Sequence, residues 1–371
     1  MNILVVEPFY TESHKHWLDH LIQYSTHNIK KLTLKGFHWK WRMHGGAVTL
    51  ASEFLQMNFI PELIICTDML DLSVFLSLTR NKSQGIPVAL YFHENQLCYP
   101  WSPDDQDVSL NRDRHYAFIN YTSALSADQI YFNSVFHKNQ FIKDLGQFLS
   151  EFPDYKNLAT IAAIEKKSEV LYLGVDLQKF DRYKNDSQNK LPVLLWNHRW
   201  EYDKNPNLFF NTLIELKNEG YKFELIVLGR SYPREPDIFK TAQTQLATEI
   251  IHWGYAESFS DYARLLWAAD IVPITSNQEF FGISAVEAIY CNNVPLLPNR
   301  LCYPEHIADL KCFYNTTAEF KKSLELLIRS HGSYPKIDLN KIKSYDWSHQ
   351  IIRYDDAFSV LSSNFAQNII D

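Results

Sequence analysis

Short apolar runs alternate with helix-like stretches along most of this chain, and this alternation constrains the fold more than any other feature. In the first half the runs are "MNILVVEPFY", "ELIICTD", "PVALYFHE", "QIYFNS" and "EVLYLGV", and residues 47–57, 70–80 and 116–127 between them show helical periodicity. The second half repeats the plan with "LPVLLWN", "KFELIVLG", "IIHWG", "DIVPITS" and "NVPLLP". Strands that alternate with helices form parallel βαβ units, so the sequence predicts an α/β protein.

A polar stretch divides the two halves. Residues 181–191, within "DRYKNDSQNKLP", have no apolar periodicity and are predicted to form a linker. We therefore expect one Rossmann-like domain over residues 1–180, a second over residues 192–346, and a C-terminal helical stretch over residues 347–371. Such sheets bind ligands at the carboxyl ends of their strands, so the chemistry is expected in a cleft between two facing domains.

Cysteine content and charge exclude several classes of protein. The five cysteines are odd in number and lack CxxC or Cys/His spacing, which argues against a disulfide framework or a structural zinc site. The first residues do not read as a signal peptide, and no apolar run approaches membrane-spanning length. We therefore expect a cytoplasmic protein without a membrane partner, and nothing in the sequence indicates an obligate protein partner. The net charge of −7 gives no global support for nucleic-acid binding.

One segment departs from this acidic balance. No Asp or Glu occurs between residues 20 and 52, where basic side chains are interleaved with aromatic ones: Lys30, Lys31, Lys35, Lys40 and Arg42 with Phe37, Trp39 and Trp41. One interpretation is a solvated face on which lysine stems cover apolar surface. The other is a groove for phosphates and stacked bases. The spacing alone leaves both open.

The segment "NQEFFGISAVEAIYCNNVPLLP" predicts a helix that begins near Gly282, directly after the strand "DIVPI". The first amides of that helix, those of Gly282, Ile283 and Ser284, have no intrahelical partners, and the helix dipole favours an anion there. Glu287 lies within the helix, with no basic residue three or four positions away. It is either a solvated surface side chain or, with Glu279, one of two carboxylates that flank a bound diphosphate.

Two cations precede another helix in the same half. The strand "PVLLWNHRW" delivers Arg199 near its end, and Lys204 follows in the loop before a helix that Asn205 can cap, Pro206 can begin and Gly220 can stop. A guanidinium offers a rigid fork and an ammonium a mobile point charge, and together they could neutralise a diphosphate without a metal ion. Either residue taken alone could be a surface cation, but the neighbouring anion site favours the phosphate.

This half of the chain resembles the retaining GT-B glycosyltransferases that use an E-x7-E motif. Glu279 and Glu287 have that spacing, Arg199 and Lys204 look like the phosphate-binding pair of the group, and "LGVDLQKF" looks like its inter-domain segment. The resemblance implies a GT-B fold, in which two Rossmann-like domains face a central cleft and a helix over residues 347–366 crosses back to the first domain.

The resemblance also implies roles for these residues. Glu279 would contact hydroxyls of the transferred sugar, Glu287 would bind the nucleotide ribose, and His93, at the end of "PVALYFHE", would lie near the reacting sugar. His93 and Glu279 are therefore the expected catalytic residues. The expected donor-binding set is Arg199, Lys204, Glu279, Phe281, Gly282, Ile283, Ser284 and Glu287.

The implied reaction is departure of a nucleoside diphosphate with retention at the anomeric carbon, without a cofactor or a metal ion. The one acidic run that could suggest a metal, "PDDQD" at residues 103–107, lies in a polar loop and is interpreted as solvated surface. Selection of the nucleotide base is expected around "GRSYPREP", residues 229–236.

The first half is similar to the tRNA-queuosine α-mannosyltransferases in the blocks "FYTESHKHWLDHL", "FHWKWRMHGG", "CTDMLDLSVFLSL", "YFHENQLCYPW" and "ADQIYFNSVFHKNQF". This resemblance implies transfer of mannose from GDP-mannose to the cyclopentene-diol of queuosine at the wobble position of tRNA-Asp, with a tRNA anticodon loop as partner. The expected acceptor-binding residues are Ser13, His14, Lys15, Lys40, Trp41, Arg42, Asn95 and Gln96.

The chain departs from that family where Thr11-Glu12 replaces an expected glycine pair, which puts the shape of the acceptor pocket in doubt. Two other functions stay open. A glycosyltransferase with a lipid or polysaccharide acceptor would use the same donor site, although no amphipathic basic helix for membrane contact is evident. A non-catalytic module that binds a nucleotide sugar or RNA is the third possibility.

Overall fold

The computed structural model describes residues 1–101, 105, 107, 114–185, 188–230 and 235–370. These residues form two compact units, Met1–Gly174 with Trp347–Asp371 and Val175–Asp346. The strands are β1 (Asn2–Tyr10), β2 (Asn28–Lys35), β3 (Leu63–Thr67), β4 (Val88–Phe92), β5 (Gln129–Phe132), β6 (Ser168–Val170), β7 (Val193–Asn197), β8 (Glu224–Leu228), β9 (Ile250–Gly254), β10 (Ile271–Pro273), β11 (Val294–Pro298) and β12 (Phe313–Tyr314).

The helices of the described residues surround these strands. They are α1 (Glu12–Tyr24), α2 (Trp39–Gln56), α3 (Leu72–Ser83), α4 (Arg114–Ser126), α5 (Val135–Ser150), α6 (Ala159–Lys166), α7 (Pro206–Asn218), α8 (Ile238–Gln245), α9 (Phe259–Ala268), α10 (Ile283–Tyr290), α11 (Thr317–Arg329), α12 (Asn340–Lys343) and α13 (Trp347–Ile370). None of these described helices combines the length and the apolar character that a membrane crossing requires.

The first unit contains a sheet in the order β2-β1-β3-β4-β5-β6, and every pair of neighbouring strands is parallel. β3 and β4 are buried along their whole length. Strands covered by helices on both faces need apolar side chains on both faces, which explains why these two read as continuous apolar runs. The predicted α/β class with a Rossmann-like parallel sheet is confirmed for this unit.

The C-terminal helix α13 packs on the first unit, as the sequence predicts. The Trp17 indole N–H in α1 donates to the hydroxyl of Tyr354 in α13 at 3.1 Å, and the Tyr354 hydroxyl donates to that of Tyr91 in β4 at 2.8 Å. Asp355 accepts hydrogen bonds from Ser25 at 2.6 Å and from the Thr26 amide at 2.9 Å. These bonds join the two ends of the chain within one unit.

The second unit repeats the plan with a parallel sheet in the order β12-β11-β10-β7-β8-β9. Its helix α7 has the predicted ends. The Asn205 side chain accepts the Leu208 amide at 3.4 Å, Pro206 is in the first turn, and Gly220 follows the helix with a φ of 91°. A positive φ is accessible to glycine without steric cost, so the sequence signals for this helix are confirmed.

The segment expected to link the halves has local structure at its beginning. A 3-10 helix spans Gln178–Tyr183, and the buried Phe180 carbonyl accepts the Trp267 indole N–H at 2.8 Å. Residues 186 and 187 lie outside the described part. The division between the two compact units falls between Gly174 and Val175. The predicted linker therefore overlaps a 3-10 helix of the second unit, in which Tyr183 packs against Phe259.

Candidate active site

The loops after β7 and β10 bring Lys204 and Glu279 into contact. From β7 the chain continues to β8 on one side, and from β10 it continues to β11 on the other, so the loops diverge and open a crevice at the carboxyl ends of these neighbouring strands. The Lys204 ammonium lies 3.2 Å from Glu279 Oε2 and 3.0 Å from Asp203 Oδ2, and it donates to the Gln278 carbonyl at 3.1 Å. Lys204 is only 7% exposed, so solvent screens its interaction with these two carboxylates weakly.

Gly282 shapes the turn into α10. Its φ is 79°, and a Cβ there would lie 3.3 Å from both Glu279 Cγ and Tyr303 Cε1. The amides of Gly282, Ile283 and Ser284 have no acceptor among the described residues, as a helix N-terminus requires when no side chain caps it. The turn therefore presents three amides and the positive end of a helix dipole close to Glu279, which suits an anionic ligand.

Contacts within the second unit fix the position of Phe281. Its side chain is buried, and its carbonyl accepts the Nε2–H of His306 at 2.6 Å, while the Tyr345 hydroxyl lies 3.0 Å from Nδ1 of that histidine. Burial lowers the pKa of His306 to about 4, so the imidazole is neutral at pH 7. No sequence signal pointed to His306, because it lies 25 residues after Phe281 and meets the loop only in the folded chain.

Glu287 is half-buried in the middle of α10, so the interpretation as a solvated surface side chain is wrong. Its carboxylate accepts the Tyr262 hydroxyl at 2.5 Å, and that hydroxyl in turn accepts the Asn197 side-chain amide at 2.9 Å. Burial raises the pKa of Glu287 in spite of the Tyr262 hydrogen bond. Tyr262 and Asn197 are further site residues that sequence reasoning missed.

His198 was also missed, although it precedes the predicted Arg199. Burial lowers the pKa of His198 to about 3, its Nδ1 lies 3.3 Å from the Ser284 hydroxyl, and its Nε2 has no partner among the described residues. Arg199 behaves differently from Lys204, since its side chain is exposed and pairs with Glu201 at 3.2 Å. The structure thus separates the two predicted cations into one buried and one exposed group.

The carboxyl edge of the first sheet gathers Glu7, His14, Asp68 and His93, all of them buried. His14 Nδ1 donates to Glu7 Oε2 at 2.9 Å, and the rings of His14 and His93 lie 4.3 Å apart. Burial disfavours a charged His14, but the carboxylates of Glu7, Asp68 and Glu94 outweigh it and raise the pKa of His14 to about 9. Burial holds the pKa of His93 well below its ordinary range, so a charged and a neutral imidazole stand side by side at pH 7.

The same group is spaced for a metal ion. One ligand atom from each of Glu7, His14 and His93 lies within 4.8 Å of the other two. Both oxygens of Glu7 already accept hydrogen bonds within the protein, one from His14 and the other from the Phe9 amide at 2.7 Å. The carboxylate is thus satisfied by the protein itself.

Asn95, which was predicted to bind the acceptor, has its side chain engaged by contacts within the protein. It is fully buried, its Nδ2 is 2.8 Å from His137 Nε2, and its Oδ1 accepts the amides of Leu97 at 3.0 Å and Cys98 at 3.2 Å. Both polar atoms are used to hold the loop after β4. The neighbouring Gln96 is half-buried, so its side chain stays a candidate for acceptor contact.

The predicted basic surface is only partly free. Lys40 is paired with Asp105 at 2.6 Å and with Asp107, so these two acids of "PDDQD" are partners of a lysine and not solvated surface. Trp41 is 64% exposed, and the Arg42 Nε donates to the Lys35 carbonyl at 3.0 Å. Residues 103, 104 and 106 of "PDDQD" and residues 231–234 of the predicted base-selecting segment lie outside the described residues.

Ser13 and Lys15 lie on the exposed side of α1, and Lys15 pairs with Asp19 one turn later at 2.5 Å. Thr11 is extended, whereas Glu12 has a φ of 46°, in the left-handed region that favours glycine. The structure therefore gives a backbone reason for a glycine at position 12 of this turn, but not at position 11. An exposed glutamate occupies the strained position in this chain.

Comparison with protein families gives two matches that cover most of the chain. The profile of the tRNA-queuosine alpha-mannosyltransferase N-terminal domain matches residues 2–175, and that of the glycosyl transferases group 1 matches residues 178–343. A tRNA-queuosine alpha-mannosyltransferase of Drosophila melanogaster is 34% identical over 332 residues, which cover 87% of this chain and 86% of that protein.

Solved structures agree on the fold. A glycosyltransferase from Rickettsia africae is 15% identical, with a TM-score of 0.64 over 97% of this chain and 98% of its own. Anabaena Alr3699/HepE, solved in complex with UDP, is also 15% identical, with a TM-score of 0.61 over 100% of this chain and 99% of its own. These likenesses confirm the predicted GT-B fold of two Rossmann-like domains, and at such identities they show the fold alone.

Proposed function

Because the chain belongs to the tRNA-queuosine alpha-mannosyltransferase family, we propose that it transfers mannose from GDP-mannose to the cyclopentene-diol of queuosine at the wobble position of tRNA-Asp, with retention at the anomeric carbon. The glycosyltransferase activity follows from the family and the group 1 domain. The donor, the acceptor position in the anticodon loop and a cytoplasmic location are parts of the proposal.

The observation that carries the donor half is the contact between Lys204 and Glu279 beside the free amides at the start of α10. In this arrangement the diphosphate would bind the amides and the Lys204 ammonium, both of which supply positive potential without a metal ion. Glu279 would accept hydrogen bonds from hydroxyls of the mannose. Glu287, at the other end of the diphosphate, would accept them from the ribose.

The reaction needs one bond to break and one to form on the same face of the sugar. The bond between the anomeric carbon and the diphosphate oxygen breaks, the acceptor hydroxyl oxygen bonds to that carbon, and its proton passes to the departing phosphate oxygen. Lys204 and the helix dipole would stabilise the charge that develops on the leaving group, a contribution that matters most where water is excluded. Arg199, which is exposed and pairs with Glu201, would have to leave that glutamate to close on the phosphates when the donor binds. We assign His93 to the reacting sugar on the family resemblance.

The acceptor half is supported by the exposed aromatic side chains of the basic segment. Phe37 is 61% and Trp41 is 64% exposed, so both rings are accessible to a ligand. Single-stranded RNA loops present unstacked bases that bind such rings, and Arg42 lies next to Trp41 to approach a phosphate. Lys40 would first have to leave its two aspartates.

The test is incubation of the purified protein with GDP-mannose and queuosine-containing tRNA-Asp, followed by nucleoside mass spectrometry. We expect a gain of one hexose on queuosine, and none on the same tRNA without queuosine. GDP-glucose and UDP-glucose serve as donor controls. Slow hydrolysis of GDP-mannose without hexose transfer would keep a glycosyltransferase and overturn the acceptor, whereas transfer from UDP-glucose alone would overturn the donor.

A further inference from the structure

The first sheet has a ligand crevice of its own, by the same topological rule as the second. From β1 the chain continues to β2 on one side, and from neighbouring β3 it continues to β4 on the other. Glu7 near the end of β1, Asp68 directly after β3 and His93 directly after β4 lie at this edge. The established activity of the family does not explain why two carboxylates are buried there.

Charge is unbalanced in this cluster. Glu7 and Asp68 are 0% and 1% exposed, and Glu94 adds a third carboxylate, while the cation that acts most strongly on Asp68 is His14. Burial, opposed by His14 and reinforced by Glu94 and Glu7, raises the pKa of Asp68, so the free protein favours its neutral form and a cationic ligand would bind the ionised form. A buried carboxyl with that property lacks a sufficient countercharge. A cationic ligand would supply it.

Two acceptor atoms in the cluster are also unused. Asp68 Oδ1 accepts the His93 amide at 2.8 Å, but Asp68 Oδ2 accepts no hydrogen bond from the described residues. His93 Nε2 is buried and has no partner among them. A buried polar atom without a partner is costly unless a ligand satisfies it. The neutral ring of His93 can carry its proton on Nδ1, which leaves Nε2 as an acceptor.

We propose that Asp68 and His93 bind a secondary ammonium group, with one N–H donating to Asp68 Oδ2 and the other to His93 Nε2. The proposal rests on the proposed function, because queuosine carries a protonated secondary amine between its 7-deazaguanine base and its cyclopentene-diol. Guanosine has no such group, so Asp68 makes the site selective for the modified nucleoside. The diol is attached through the same nitrogen, and binding the ammonium here brings the accepting hydroxyls close to His93.

The test is a double-mutant cycle between protein and ligand. Binding of an anticodon stem-loop RNA that carries queuosine is compared with binding of its carba analogue, in which CH2 replaces the NH2+ group, for the wild-type chain and for Asp68→Asn. For the wild-type protein we expect the analogue to bind about 10- to 100-fold more weakly, the usual range for a hydrogen bond to a charged group. Asp68→Asn should bind both RNAs with the same reduced affinity.

Two controls keep the outcomes separate. Glu165→Gln, on the exposed side of α6, should retain the preference for queuosine, and Asp68→Asn should keep the protection of the fold by GDP-mannose because the donor residues lie in the other unit. If the Asp68 variant does not fold, the wild-type comparison of the two RNAs still decides, and equal affinity for both overturns the proposal. The proposal would also be overturned if the losses of binding free energy caused by the carba analogue and by Asp68→Asn simply added in the cycle.

The remaining outcomes concern the proposed function and a metal ion. If the wild-type protein bound the RNA but transferred no hexose from GDP-mannose, the proposed function would fail while the ammonium site could stand on the cycle alone. Stoichiometric divalent metal in the purified chain, lost in Glu7→Gln, would show that Glu7, His14 and His93 hold a metal ion instead and would overturn the ammonium proposal.

Discussion

Replacement of Lys204 by methionine separates the stability of the second unit from its catalysis. Methionine keeps the length and apolar stem of lysine but removes the charge that lies 3.0 Å from Asp203 and 3.2 Å from Glu279. Asp203 is 3% exposed, and neither of its oxygens has another hydrogen-bond partner among the described residues. The substitution therefore leaves a buried carboxylate without compensation, and Glu279, which is partly exposed, regains water.

Breaking one side of a buried ion pair costs about 3–5 kcal/mol of folding free energy. For a unit of this size about 2–4 °C of melting temperature corresponds to each kcal/mol, so we expect the second unit to melt about 6–20 °C lower. Turnover should fall about 100- to 1,000-fold, the usual effect of removing one group that stabilises a developing anion. Differential scanning calorimetry and the hexose-transfer assay measure the two effects.

The double variant Lys204→Met with Asp203→Asn removes both charges and is the matched control. It should regain at least half of the lost stability, because no uncompensated ion remains, and it should stay about 100-fold or more below wild-type turnover. Recovery of activity together with stability would show that Lys204 acts only in folding. An unchanged melting temperature in the single variant would refute the ion-pair reasoning itself.

Further changes probe other parts of the second unit. Gly332→Ala has a φ of 79° and open space, so it should cost only the backbone strain of about 1–2 kcal/mol. Gly282→Ala has the same φ, and its Cβ meets two side chains, so it should cost more than Gly332→Ala and should also weaken donor binding measured by calorimetry. Tyr262→Phe leaves Glu287 without its hydrogen bond and should lower stability in urea unfolding by about 1–3 kcal/mol. The pKa of His306 is about 4 in the folded chain, below its ordinary 6.5, so its contribution to stability is present above pH 6.5 and is lost as the pH falls towards 4. In His306→Asn the urea midpoint of unfolding should therefore change less with pH over that range.

Short sequence signals correctly predicted those structural features that depend on interactions between neighbouring residues. Asn205, Pro206 and Gly220 define α7 because capping and backbone conformation depend on neighbouring residues. Glu279 and Gly282 were predicted as neighbours in a ligand loop because a strand, a turn and a helix follow one another directly in the sequence. The predicted chemistry of the second unit therefore depends mostly on contacts that short stretches of chain determine.

Side chains whose partners are distant in the sequence were predicted less well. Lys40 was expected to bind the acceptor, but it pairs with two aspartates that lie more than 60 positions later. Asn95 was expected to bind the acceptor, but its side-chain nitrogen lies 2.8 Å from Nε2 of His137, which is 42 positions away. Composition cannot reveal such pairs, because a basic run looks the same in sequence whether acids fold against it or not.

The sequence by itself determined the two parallel sheets, the helix ends and the position of the donor loop, because periodicity, capping and turn chemistry are encoded over a few residues. Only the tertiary structure decided which polar groups are buried and what they contact. Burial and sheet topology set the charge of His14, the isolation of Asp68 and the hydrogen bond of Glu287, since the energy of a charged group depends on every element packed around it.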